Sequence, residues 1–144
     1  VEGSTLTLTE SMVLITEGTT AKGKPLSHHL MVKDHYNALL FTLDLAAENK
    51  KNHRKLSVRD IQNIAALVNQ NNNQKVSNVL GTTETAKGDL RLTNVTAGTT
   101  MFMGYDKVPK ALKEMVDWVN TSMESISEKD VEGKLKLSFE AHYR

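Results

Sequence analysis

Apolar residues recur at helical spacing along most of the chain and alternate in one place, and these two periods predict the elements. A short helix is predicted through Ser11, Met12, Val13, Leu14 and Ile15, with Thr9 as its N-cap and Gly18 closing it. After the loop 19–25, Ser27 is expected to cap a long helix running to about Asn49. Its face is Val32, Tyr36, Leu39, Leu43 and Ala46, widened by Leu40, Leu45 and Ala47, and so apolar a second half belongs at the centre of a core. Lys50 to Lys55 is a basic link. Ser57 and Asp60 make a Ser-x-x-Asp cap ahead of Val58, Ile61, Ile64, Ala65 and Val68, which gives a third helix. The amide-rich run NQNNNQ at 69–74 ends it, and the polar stretch to Lys87 reads as a mobile surface loop.

The segment 88–120 organises the rest. Leu90, Leu92, Val95, Met101 and Met103 lie in two roughly alternating runs around Ala97-Gly98-Thr99-Thr100, the pattern of a small β-hairpin with Gly98 in the turn. Pro109 then stands where a first helical residue should, having no donor to lose, and Leu112, Met115, Val116, Val119 and Met123 follow at spacings of three and four. Trp118 falls near the edge of that stripe. A last helical stripe runs through Val131, Leu135, Ser138, Phe139 and His142. The fold class expected is mostly α, a helical bundle with one small β-hairpin.

Composition adds bounds. A length of 144 residues, 39% of them apolar, fits one domain of moderate core, 1–144. Eighteen basic and 17 acidic residues leave a formal charge of +1, which gives no field to draw nucleic acid or an anionic membrane. No run is long and apolar enough to span a membrane, and the absence of cysteine excludes thiol chemistry and disulfides. The cytoplasm is the default location. Val1 in place of an initiator Met, and a helical stripe still running at Arg144, read as a fragment of a longer polypeptide.

Candidate chemistry is sparse. His28, His29 and His35 are spaced by one, six and seven residues, not by the three or four that a helical metal site needs, so no metal site is expected. His53 lies among lysines, and His142 falls on the apolar side of its helix, where a satisfied, partly buried imidazole is expected. Asn94 and Asn120 match the glycosylation acceptor pattern at chance frequency. Glycines occur singly, so there is no phosphate-binding loop, and no carboxylates pair in a catalytic frame. A DNA-binding role for 57–69 is disfavoured because its helix carries Arg59 as its one cation. What remains is the hairpin, whose edge could take up an extended peptide.

Taken in order, several segments resemble the Fic family of protein adenylyltransferases. Glu2-Gly3-Ser4-Thr5-Leu6-Thr7 is similar to the E-G-N-T-L-T segment that closes the family's inhibitory motif, with Ser4 in place of the usual Asn. His35-Tyr36-Asn37-Ala38-Leu39 resembles the N-H-x-x-A-L pattern of the first long helix, and Leu56-Ser57-Val58-Arg59-Asp60-Ile61 the start of the next. Gly88-Asp89-Leu90-Arg91 resembles the G-x-x-R ahead of the flap hairpin, and Val108-Pro109 with Trp118-Val119-Asn120 the V-P…W-L-N helix. Ala141-His142-Tyr143-Arg144 resembles the A-H-x-x segment upstream of the H-P-F-x-(D/E)-G-N-G-R signature, which residues 1–144 do not contain.

The resemblance implies an order of parts: inhibitory segment and short helix at 1–18, core helices at 27–71, flap at 88–104 and core helices at 108–144. It implies transfer of AMP from ATP, with Mg²⁺, to a Ser, Thr or Tyr hydroxyl of a target protein. The catalytic His and the phosphate-binding loop belong to the signature, so no catalytic residue is expected within 1–144. Glu2 and Gly3 would form the inhibitory element, and Thr99, Thr100, Met101, Phe102 and Met103 the target-docking flap. ATP and the target protein are the expected partners, without nucleic acid or membrane, and homo-oligomerisation is compatible with the reading. The alternative is a non-catalytic helical interaction module, an antitoxin or adaptor.

Overall fold

Thr7, not Thr9, starts the first helix, and the reason is reciprocal capping. The Thr7 hydroxyl accepts the Glu10 N–H at 3.2 Å while the Glu10 carboxylate accepts the Thr7 N–H at 2.7 Å, and Thr9 has no acidic residue three positions on to complete such a pair. The computed structural model describes residues 3–71 and 86–143, and the backbone of 75–78 and 81–84. The described elements run α1 (Leu8–Glu17), α2 (Leu26–Lys51), α3 (Val58–Val68), β1 (Lys75–Asn78), β2 (Gly81–Glu84), β3 (Thr96–Ala97), β4 (Thr100–Met101), α4 (Val108–Ser125) and α5 (Val131–Tyr143). The fold is mostly α with small antiparallel hairpins.

Other boundaries follow from local chemistry. Gly18 closes α1 in the left-handed conformation, φ +71°, as its position predicts. Ser27 does not cap α2: the helix begins after Pro25, whose carbonyl accepts from His28 N–H at 3.1 Å and bonds the His29 ring at 2.9 Å, closing the first turn before Ser27 could serve. Ser57 and Asp60 form the expected box at the head of α3. Pro109 sits in the first turn of α4.

The stretch expected to be a loop contains a hairpin. β1 pairs antiparallel with β2, Lys75 opposite Glu84 and Asn78 opposite Gly81. Val76 and the two threonines Thr82 and Thr83 in this register supply β-branched residues that the surrounding Asn and Gln obscured.

Packing is serial: α1 lies on α2, α2 on α3, α3 on α4 and α4 on α5, and among the described residues no other pair of helices packs closely. The accessible surface, 10834 Å², exceeds the roughly 7,400 Å² of a compact monomer of this 16.0 kDa mass. The fully buried apolar residues described are Leu14, Val32, Ala38, Val116 and Leu137.

Two expected stripes therefore face outward. On α2, Val32 is buried, but Tyr36, Leu39, Leu43 and Ala46 are exposed; the inward stripe is Met31, His35, Ala38, Thr42, Leu45 and Asn49. Its polar members stay satisfied: the His35 ring bonds the Met31 carbonyl at 2.9 Å and the Thr42 hydroxyl donates to the Ala38 carbonyl at 2.7 Å. On α5, Val131, Leu135, Ser138, Phe139 and His142 are exposed, and Gly133, Lys134, Leu137 and Ala141 face α4 instead. His142, expected among apolar neighbours, stands in solvent edge-on to Tyr143, ring centroids 5.4 Å apart.

Candidate functional site

The hairpin expected to be the flap is anchored from its root. Gly88 has φ +83°, and a Cβ there would lie 2.3 Å from the Gln62 carbonyl oxygen and 3.0 Å from Ala66 Cβ, so only glycine lets the chain leave α3 this closely. The Arg91 guanidinium then donates to the carbonyls of Thr93, at 3.4 Å, and Met103, crossing from the incoming limb to the outgoing one. Asn94 Oδ1 accepts the Tyr105 N–H at 3.2 Å and ties the same two limbs a second time.

Beyond this root the hairpin is short. Thr96 pairs with Met101 and Ala97 with Thr100, and the Phe102 N–H donates to the Val95 carbonyl at 3.1 Å. Gly98 turns at φ +58° while Thr99 keeps negative φ, the sign pattern of a II′ turn with Gly first. Leu90 and Leu92 lie outside the strands, because Arg91 and Asn94 bind carbonyl and amide groups that a longer ladder would have paired.

All five predicted flap residues, Thr99, Thr100, Met101, Phe102 and Met103, are exposed, and Met101 is 74% accessible. No helix packs on β3 or β4 among the described residues. Such a ribbon offers unpaired main-chain groups and two apolar side chains to an extended segment.

The segment expected to be inhibitory is described only from Gly3 onward. Glu2 lies outside the described residues. Gly3 takes φ +83°, with space for a Cβ limited by Met31 Cε at 3.3 Å. The following residues are fastened to the start of α2: the Thr5 N–H donates to His28 Nδ1 at 3.1 Å and Lys24 Nζ donates to the Thr5 carbonyl at 2.9 Å. Glu10 beside them has its carboxyl held below the usual range by the Thr7 N–H and hydroxyl, helped by Lys24 and His29. The structure thus seats Gly3 and Thr5 on α2 and the flap between α3 and α4, with no packing of α1 on the flap strands.

His28, His29 and His35 are occupied in hydrogen bonds. His29 is buried, with one ring nitrogen on the Pro25 carbonyl and the other accepting the Ala21 N–H at 2.8 Å. Among the described residues no group of three or more His, Asp or Glu side chains could hold a metal.

Three positioning groups carried little sequence signal. Asp34, 1% exposed, accepts the Asn71 N–H at 2.7 Å and its side-chain amide at 2.6 Å, joining α2 to the end of α3. Asn120 on α4 exchanges two bonds with the Leu56 main chain, at 3.0 and 2.8 Å. Asn94 drew notice only as a glycosylation match, not as the flap's anchor. No protein-family model matches the chain, and no curated protein matches it.

Proposed function

We propose that the chain is part of a Fic-type protein adenylyltransferase whose flap, residues 96–104, docks the target protein. The observation that carries this reading is the exposed hairpin itself, rooted by Gly88, Arg91 and Asn94 and presenting Met101 and Phe102 to solvent. An extended target segment adding to it by main-chain hydrogen bonds would be held in register, and fixed register is what places one hydroxyl for transfer.

ATP and Mg²⁺ enter this reading through the resemblance alone. The described residues supply no phosphate cradle or carboxylate cluster, so nucleotide binding is assigned to the family signature. Glu2 would act as the inhibitory carboxylate, crowding the nucleotide by charge and bulk.

The test uses the protein encoded by the complete gene. With α-labelled ATP, Glu2→Gly should raise automodification, and Thr100→Pro should lower target modification while nucleotide binding is kept. Absence of AMP incorporation by the Glu2→Gly protein would overturn the proposal. A second reading, a non-catalytic interaction module, is favoured by the exposed apolar side chains of α2 and α5, Leu39, Leu43 and Phe139 among them.

A further inference from the structure

The end of α2 carries a residue that the backbone does not favour. His53 N–H returns to the Lys50 carbonyl at 3.4 Å and Arg54 N–H to the Asn49 carbonyl at 2.9 Å, the paired bonds of a Schellman closure. That closure needs a left-handed residue, normally glycine; His53 occupies it at φ +51°, the single non-glycine residue with positive φ among those described. Strain kept at one position points to a use for the side chain.

His53 lines a cavity of about 580 Å³ between the end of α2, the head of α3, α4 and the start of α5. This is the size range of small-molecule sites, roughly 300–1,000 Å³. Leu56, Val119, Met123 and Ile126 supply an apolar lining. Around it stand Lys50, Lys55 and Lys134 against two carboxylates, Glu124 and Glu128, while the nearby Arg54 is held by Asp60. Lys50 meets Glu128 at 2.7 Å and Lys55 meets Glu124 at 2.5 Å, each an exposed pair. Exposed pairs are weakly held, and their cations can turn to another anion at little cost. The excess of positive charge selects the sign of a ligand's polar end, and the apolar lining selects its body.

We propose that this cavity binds a small amphipathic carboxylate, its apolar portion against Leu56, Val119 and Met123 and its carboxylate beside His53 and Lys50. The site stands apart from the flap and does not depend on the adenylyltransferase reading.

Octanoate titrated into the isotope-labelled protein and followed by amide chemical shifts is the direct test. The shifts should saturate below about 10 mM, in the range of weak single-site binding, and centre on 49–56 and 119–126. His53→Gly relaxes the backbone, so it should raise the melting temperature by about 2–4 °C and yet weaken octanoate by about fivefold, the loss of one charge-assisted hydrogen bond. Met123→Glu, at an exposed edge of the lining, should abolish saturation while leaving the helical content unchanged. Shifts centred on Leu39, Leu40 and Leu43, no saturation, or unchanged affinity in His53→Gly would each overturn the proposal.

Discussion

Removing the Asp60 carboxylate should destabilise the fold more than its place in the first turn of a helix suggests. Its side chain is 6% exposed and makes four bonds: it accepts the Ser57 N–H at 2.9 Å, the Ser57 hydroxyl at 2.7 Å, and the Arg54 guanidinium at 3.0 and 3.2 Å. Loss of a helix cap costs about 1 kcal/mol, and the charge-assisted bonds to Arg54, itself half exposed, add about 1–2 kcal/mol. Asp60→Ala is therefore expected to cost about 2–3 kcal/mol in a urea melt followed by helical circular dichroism, or roughly 10 °C in melting temperature. A loss under about 0.5 kcal/mol, the size of an ordinary surface change, would refute the reasoning.

The same residue gives a pH dependence of known sign. Burial alone would raise its carboxyl, but the Ser57 hydroxyl, Arg54 and the Ser57 N–H outweigh burial and leave it below the ordinary value. A carboxyl depressed in the folded state stabilises above its unfolded value, about 3.9, and that contribution disappears as pH falls through the folded value. The gap between wild type and Asp60→Ala should therefore be full at neutral pH and shrink below about pH 4.

Two further outcomes test the flap's support. Gly88→Ala combines positive φ with a Cβ contact of 2.3 Å to the Gln62 carbonyl, and should cost at least about 2 kcal/mol by the same melt. Asn94→Ala removes the acceptor of the Tyr105 N–H, so hydrogen exchange at Tyr105 and Phe102 should quicken several-fold while exchange within α3 stays unchanged.

Element type and most boundaries were legible because they depend on neighbours in sequence. The Ser57–Asp60 box, Gly18, Pro109 and the Gly98 turn all act within a few residues, and all stand where the pattern puts them. The β3–β4 hairpin was legible for the same reason. What the pattern missed depends on distant partners. α2 is apolar on two sides, so spacing alone cannot choose which side turns inward. The β1–β2 hairpin was hidden because Asn and Gln favour loops by composition while register is set by pairing across the strands.

In a row of helices that each pack on one or two neighbours, hydrophobic contact leaves helix rotation weakly fixed, because burial energy has no direction. Hydrogen bonds are directional, and here they span the joints. Asp34 to Asn71 sets α2 against the end of α3, and Asn120 to Leu56 sets α4 against its beginning. Asp34 is buried and Asn120 and Leu56 partly so, and leaving a buried polar group unpaired costs about 1–3 kcal/mol, so a helix that rotated would lose bonds it could not replace. Asp34 and Ala38, one turn apart on a single face of α2, are buried together, and with that face inward Leu39 and Leu43 stand in solvent. On α4 the Asn120 clamp and the apolar stripe agree, whereas on α2 the Asp34–Asn71 clamp selects the inward side that apolar spacing leaves open.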